Sequence, residues 1–110
     1  MSPNQFLGEF EQMVLLGVLQ CGDQAFALDV RRELEDRADR AVSRGAFYTT
    51  LDRLEQKGMV TWTEEEPRDG RRNAPLRRFR VTAEGLEALR ASRQAMEALA
   101  RGLDGILETT

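Results

Sequence analysis

The 110-residue chain has no histidine and a single cysteine, Cys21. Zinc and haem centres draw on those two side chains, so composition nearly excludes them, and neither metal nor cofactor is expected. One cysteine also leaves no internal disulfide, which points to a reducing, cytoplasmic compartment. Long apolar runs are missing too. The longest is Met13 to Leu19, far short of the ~20 residues of a membrane span. The start, MSPNQFLGEFEQ, carries two acids and no base, so no secretory signal is expected. There is no internal repeat, low-complexity tract or Gly-rich phosphate loop. Hydrolytic or phosphoryl chemistry needs a tuned base, an activated nucleophile or a metal. None is offered, and an enzyme is not expected.

What remains is ordinary for a soluble globular protein, 41% apolar and 32% charged. A chain of this length is one domain's worth and buries about two-thirds of its unfolded surface. Its charge, −3 overall, is unevenly spread. Residues 1–39 have eight acids against three bases, and residues 83–110 five against three. Residues 40–82 reverse the balance, with ten bases against six acids. RDGRRNAPLRRFR, positions 68–80, holds six arginines and one acid. A basic segment in an acidic body suggests a patch facing a polyanion.

Apolar spacing from Phe6 to Leu19 predicts a first helix, nearly fully buried in its second half. Phe26, Val30 and Leu34, with Leu28 beside them, mark a second helix. Ala41-Val42 is a short extended link, and Ser43 is placed to cap a third helix. Phe47, Leu51 and Leu54 form that helix's apolar face, and Lys57-Gly58 closes it. The period then switches. Val60 to Thr63 reads as one strand, and Phe79 and Val81, alternating with Arg78 and Arg80, as a second with its basic side outward. Pro67, Asp69-Gly70 and Pro75 break the chain between them. Thr82 caps a last helix running to about Leu107. In that helix Leu89, Met96 and Leu103, with Ser92, Leu99 and Ile106, make a short seam with one polar member. The expected fold is mainly α with a small β-hairpin. It is a winged helix-turn-helix over residues 1–82 with a long C-terminal dimerisation helix over 83–110.

Arg44, Tyr48, Thr49 and Arg53 lie off the apolar face of the third helix. Arginine suits guanine edges or phosphates, and Thr and Tyr suit phosphate oxygens or a thymine methyl. A solvated helix face has the same composition, and half-burial beside the core also explains Tyr48. The basic loop is the stronger signal. Arg68, Arg71, Arg72, Arg77 and Arg78 sit in or beside it, with Arg80 next to them, and four to six phosphate contacts would give a log–log salt slope of roughly −4 to −5. Pairing with Glu64, Glu65 and Glu66 would neutralise three of the arginines at most. The seam residues Leu89, Met96, Leu99, Leu103 and Ile106 read as a homodimer contact, against the alternative of packing onto their own domain. In the dimer, the last helix pairs with its symmetry mate and with the partner's first helix. Cys21 reads as a small buried residue at a helix end, with a redox sensor as the minority reading. Trp62 reads as strand packing at the base of the wing, against a part in a ligand pocket.

Three stretches carry a family resemblance. SRGAFYTTLDRLEQKGMV (43–60), with Gly45, Tyr48, Leu51, Leu54-Glu55 and Gly58, resembles the core motif of the PadR-like bacterial transcriptional regulators. RRFRVTAEGLEAL (77–89) resembles the family's second block, and LGEFEQMVLLGVL (7–19) its first helix. The resemblance implies a winged-helix homodimer of the short branch that represses transcription from double-stranded DNA. Its DNA contacts would lie on the third helix and wing, its dimer contacts on a C-terminal helix. Some members bind small molecules at the dimer interface, so an unidentified effector is among the implied partners. Three features depart from the pattern. Thr49 stands where the family often has proline, Ala25-Phe26 where it often has Gly-Tyr, and the wing is unusually rich in arginine. The alternative function is a winged-helix protein–protein adaptor without DNA binding.

Overall fold

The structure, a computed structural model, describes residues 6–66 and 76–108. Helix α1 spans Glu9–Cys21. It starts three residues later than the apolar spacing begins, because Gly8 is its N-cap and Glu11 Oε1 accepts the Gly8 N–H at 2.9 Å. Val14, Leu15 and Val18 are buried. Leu16 and Leu19 are exposed, so α1 is not buried all round within one chain, as its composition suggests. Cys21 ends the helix, half-buried. Burial raises its thiol pKa, and the charges of Glu33 and Asp29 push the same way. Thiolate reactivity needs the opposite environment.

A single 3-10 turn, Gly22–Gln24, leads into α2, Ala27–Ala38. The α2 face that carries Val30 and Leu34 packs on α1 at Gly17, where an added Cβ would lie 3.1 Å from Val30. Helix α3 follows over Arg44–Gln56. The Ser43 hydroxyl accepts the Ala46 N–H at 3.1 Å, meeting one of the four donors a helix start leaves open. Phe47, Leu51 and Leu54 point into the core, and Phe47 is fully buried. Truncating such a side chain costs about 3–5 kcal/mol. Gly58 leaves the helix at φ +76°, a conformation glycine takes without a Cβ penalty.

Strands β1, Val60–Glu65, and β2, Leu76–Val81, pair antiparallel, with Val60 opposite Val81 and Trp62 opposite Phe79. The Phe79 N–H also donates to the Ala25 carbonyl at 2.8 Å. The chain entering α2 is thus stitched to the hairpin, and Phe26 forms a bridge with Arg78. This bond fixes the hairpin against the helix-turn-helix.

Thr82 caps α4 through Gly85 N–H and donates from the same hydroxyl to the Gly58 carbonyl. The last helix differs from its expected extent. It stops at Ala100, and a short α5, Asp104–Leu107, follows. Arg101 is extended and Gly102 sits at φ +85°, so the backbone turns out of the helix where glycine permits it. The apolar spacing runs on across this break and hides it. Leu89, the first residue of the predicted seam, is 4% exposed and lies in the chain's own core. It has no surface left for a second copy. Ser92 is also buried, accepting the Leu7 N–H at 2.9 Å. By contrast, Met96, Leu99, Leu103 and Ile106 are exposed, Leu99 by 76%.

Glu11, 8% exposed, ties α1 to the end of α3, with Lys57 Nζ at 2.8 Å. Burial raises its pKa, but the bonds from Lys57 and Gly8 and the nearby charges of Lys57 and Arg53 outweigh that, leaving it below the usual carboxylate range. A carboxylate with a depressed folded pKa stabilises above its unfolded pKa, and that contribution is lost as pH falls through the folded value. Glu11→Gln is therefore expected to cost about 1–2 kcal/mol at neutral pH. The cost should shrink towards zero below the folded pKa of Glu11, as read by urea unfolding at stepped pH.

Candidate nucleic-acid interface

The start of α2, the start of α3 and the beginning of β2 converge on one open cleft of about 460 Å³. Arg44 and Tyr48 line it from α3, Arg77 and Leu76 from β2, and Leu28, Asp29 and Arg31 from α2. Arg44, Tyr48 and Arg77 come from separate stretches of sequence, and the fold brings them together. Three guanidinium groups against one carboxylate give the cleft a net positive charge. Arginine presents a planar fork of donors suited to phosphate and to guanine edges.

The α3 and hairpin walls each have an aromatic under their arginine. Tyr48 meets the buried Phe47 edge-on, with ring centroids 5.4 Å apart, and stays 39% exposed. The Arg44 guanidinium carbon lies 5.7 Å from the Tyr48 ring centroid. On the hairpin, Arg77 stands 4.2 Å above the Trp62 ring. Trp62 in turn donates its indole N–H to Glu55 Oε2 at 2.9 Å. Tyr48 leans on the core and leaves its remaining surface to the cleft.

Other residues singled out in the sequence fall elsewhere. Thr49 and Arg53 are exposed on α3 but do not line the cleft. Arg53 contributes charge near Glu11 instead. Arg78 turns from the cleft, is only 25% exposed at its side chain and is ion-paired with Glu65, with Asp23 at 3.9 Å. This is the pairing with Glu64 to Glu66 that the sequence offered as the alternative to a polyanion contact, realised at Glu65. Arg68, Arg71 and Arg72 lie outside the described residues.

Arg31 did not stand out in the sequence. It donates from Nη2 to the Val42 carbonyl at 3.4 Å, across the turn between α2 and α3, and its Nε is buried without a partner. The only hint was its neighbour Leu28, an apolar residue off the core stripe, which the structure leaves exposed beside the cleft.

Gly45 opens α3 in regular helix, and nothing lies within 4 Å of where its Cβ would be. No fold reason requires glycine there, although a helical glycine costs roughly 0.5–1 kcal/mol relative to alanine. It lies four residues before Thr49, one turn along the outermost face of α3. Among the described residues no helix is long and apolar enough to cross a membrane, and no group of three His, Cys, Asp or Glu could hold a metal ion.

Comparison with known structures gives the same architecture. A PadR family transcriptional regulator from Eggerthella lenta is similar at 24% identity and TM-score 0.68, over 93% of this chain and 88% of its own. A PadR-like transcriptional regulator from Bacillus cereus matches at 18% identity and TM-score 0.69, over 92% and 93%. RosR of H. salinarum matches at 22% identity and TM-score 0.62, over 87% and 79%. No curated protein gives a significant sequence match. The family model of the PadR-like transcriptional regulators matches residues 15–91. That span runs from α1 through α3, the hairpin and half of α4, and the chain belongs to this family of transcriptional regulators.

Proposed function

We propose that the chain is a homodimeric repressor that binds a palindromic promoter site in double-stranded DNA through α3 and the arginine-rich wing. The single observation that carries this reading is the cleft that sets Arg44 and Tyr48 of α3 across from Arg77 of β2. In a winged helix, α3 enters the major groove and the hairpin follows the backbone, so cations belong on the facing sides of both. Arg68, Arg71 and Arg72 extend the same basic segment in sequence. Arg71→Ala with Arg72→Ala is expected to weaken binding to the chain's own promoter in footprinting at moderate salt. Equal protection by that variant would remove the wing from the interface.

Gly45 supports the reading from another side. A residue that weakens its helix and fills no internal need suits close approach of a DNA backbone. Gly45→Ala is expected to stabilise the fold by about 0.5–1 kcal/mol in thermal unfolding and to weaken DNA binding in the same preparation.

Dimerisation is supported by the apolar side chains that one chain leaves bare. Met96, Leu99, Leu103 and Ile106 on the C-terminal segment are exposed, as are Leu16 and Leu19 on α1. Between α1 and α2 runs an apolar groove of about 230 Å³ walled by Met13, Leu16, Gly17 and Leu34. The C-terminal segment of a second copy suits these surfaces, and a two-fold dimer presents two α3 helices to two half-sites. Wild type is expected to sediment as a dimer at micromolar concentration, and Leu99→Glu with Ile106→Glu as a monomer. A wild-type monomer would remove the two-half-site scheme.

A further inference from the structure

We propose that Trp62 is a positioning residue for DNA binding, holding Arg77 in place and tying it to α3. This rests on the DNA-binding reading above. Trp62 is opposite Phe79 in the hairpin, which puts Arg77, two residues before Phe79, diagonally across the same face. At 4.2 Å the Arg77 guanidinium lies well within the range of an attractive contact with the ring. Trp62 itself does not line the cleft, whereas Arg77 does. Its effect on a bound polyanion therefore passes through Arg77.

The second half of the device is the indole N–H. It donates to Glu55, the penultimate residue of α3, at 2.9 Å. Arg44 and Tyr48 sit on the first turns of that same helix. The Trp62–Glu55 bond thus adds a side-chain tie between α3 and the hairpin to the backbone bond from Phe79 to Ala25. An arginine in solution surrenders much side-chain freedom when it binds a phosphate. One already laid on an aromatic face surrenders less, so binding gains from order established beforehand. The ring packs against the edge of the core while its cross-strand partner Phe79 fills it, and the part of Trp62 left outside the core is what Arg77 covers.

The test uses the full chain and the duplex it selects from a random pool. Affinity is measured across a salt series for wild type, Trp62→Phe, Trp62→Leu, Arg77→Gln and the Trp62→Leu/Arg77→Gln pair. Trp62→Leu is expected to weaken binding about three- to ten-fold with an unchanged salt slope, because no cation is lost. Trp62→Phe keeps a ring under Arg77 and is expected to stay nearer wild type. With Arg77 already removed, Trp62→Leu is expected to change affinity by less than about two-fold, since the two residues act as one unit. An equal loss in both backgrounds would reduce Trp62 to a packing residue, and wild-type affinity in Trp62→Leu would overturn the proposal. A second measurement needs neither folding of the variants nor DNA. In the free wild-type protein the Arg77 δ-protons are expected to be shifted upfield by the indole ring in the NMR spectrum. Random-coil shifts would sink the stacking. Wild type binding no duplex while Arg77 keeps the ring shift would defeat the DNA-binding reading alone.

Discussion

Gly85→Ala is expected to lower the melting temperature by roughly 10–25 °C, or to leave no folded domain at all. The added methyl would sit 2.3 Å from the Met59 carbonyl oxygen and 2.9 Å from Val81 Cγ1. Neither neighbour can move cheaply. The Met59 oxygen is backbone and already accepts the Thr82 N–H at 3.0 Å, and Val81 pairs with Val60 across the hairpin. Relief would mean lifting α4 off the turn that joins α3 to β1, releasing the Thr82 cap with it. Overpacking costs about 1–3 kcal/mol, and a clash with backbone falls at the upper end, a large share of the ~5–15 kcal/mol that holds a domain folded. Gly105→Ala supplies the control, because nothing lies within 4 Å of its Cβ position. Differential scanning calorimetry of both variants separates the close contact from any general intolerance of glycine replacement.

Arg44→Ala combined with Arg77→Ala is expected to weaken DNA binding by about 2–4 kcal/mol, roughly 30- to 900-fold, while the fold keeps its melting temperature. Both side chains are exposed and neither has an ion-pair partner among the described residues. Each stands over an exposed or half-exposed aromatic, so removing it opens no core cavity. If each meets one phosphate, the log–log salt slope should fall by about two. A base-edge contact by Arg44 would instead lower the slope by one and relax sequence preference. Fluorescence anisotropy of a labelled duplex at four salt concentrations distinguishes these outcomes. Unchanged affinity would place the interface away from the cleft.

The sequence revealed most where a local rule and the tertiary fold agree. Ser43 and Thr82 are caps by residue type and caps in fact, because each follows an extended residue and precedes an apolar stripe. The turn at Gly58 and the switch from period 3.6 to period 2 at Val60 were equally plain, since glycine and β-branched residues have few other uses in that order. Where several structures share one pattern, the sequence misled. Apolar residues continue at helical spacing from Leu89 to Ile106, but a positive-φ glycine at 102 breaks the helix, and spacing cannot reveal a dihedral angle. Leu89 joins the core rather than the bare surface because the first half of α4 is what covers α1 and the hairpin.

The site shows the same division. Arg44 and Tyr48 were visible because they leave the apolar stripe of a recognisable α3. Arg77 and Arg78 are neighbours of the same chemistry, and only the pleat separates them: one faces Trp62 and the cleft, the other Glu65 and Asp23. Alternation along a strand shows that they differ in side but not which side meets the partner. Arg31 was missed because a cation on the polar side of a helix carries no mark of what the next element brings near it. The packing of Trp62 on the core was legible, but its contacts to Glu55 and Arg77 were not, because those residues lie seven and fifteen positions away.

The central claim is that paired α3 helices and wings read two half-sites of one duplex. Selection of bound duplexes from a random pool, followed by footprinting of the selected site with the full chain, tests it most directly. The expected result is a two-fold symmetric motif with half-site centres ~10–10.5 base pairs or a multiple apart, protected by wild type and released by the Arg44→Ala/Arg77→Ala variant. A pool with no enriched sequence, or protection that survives in that variant, would contradict it.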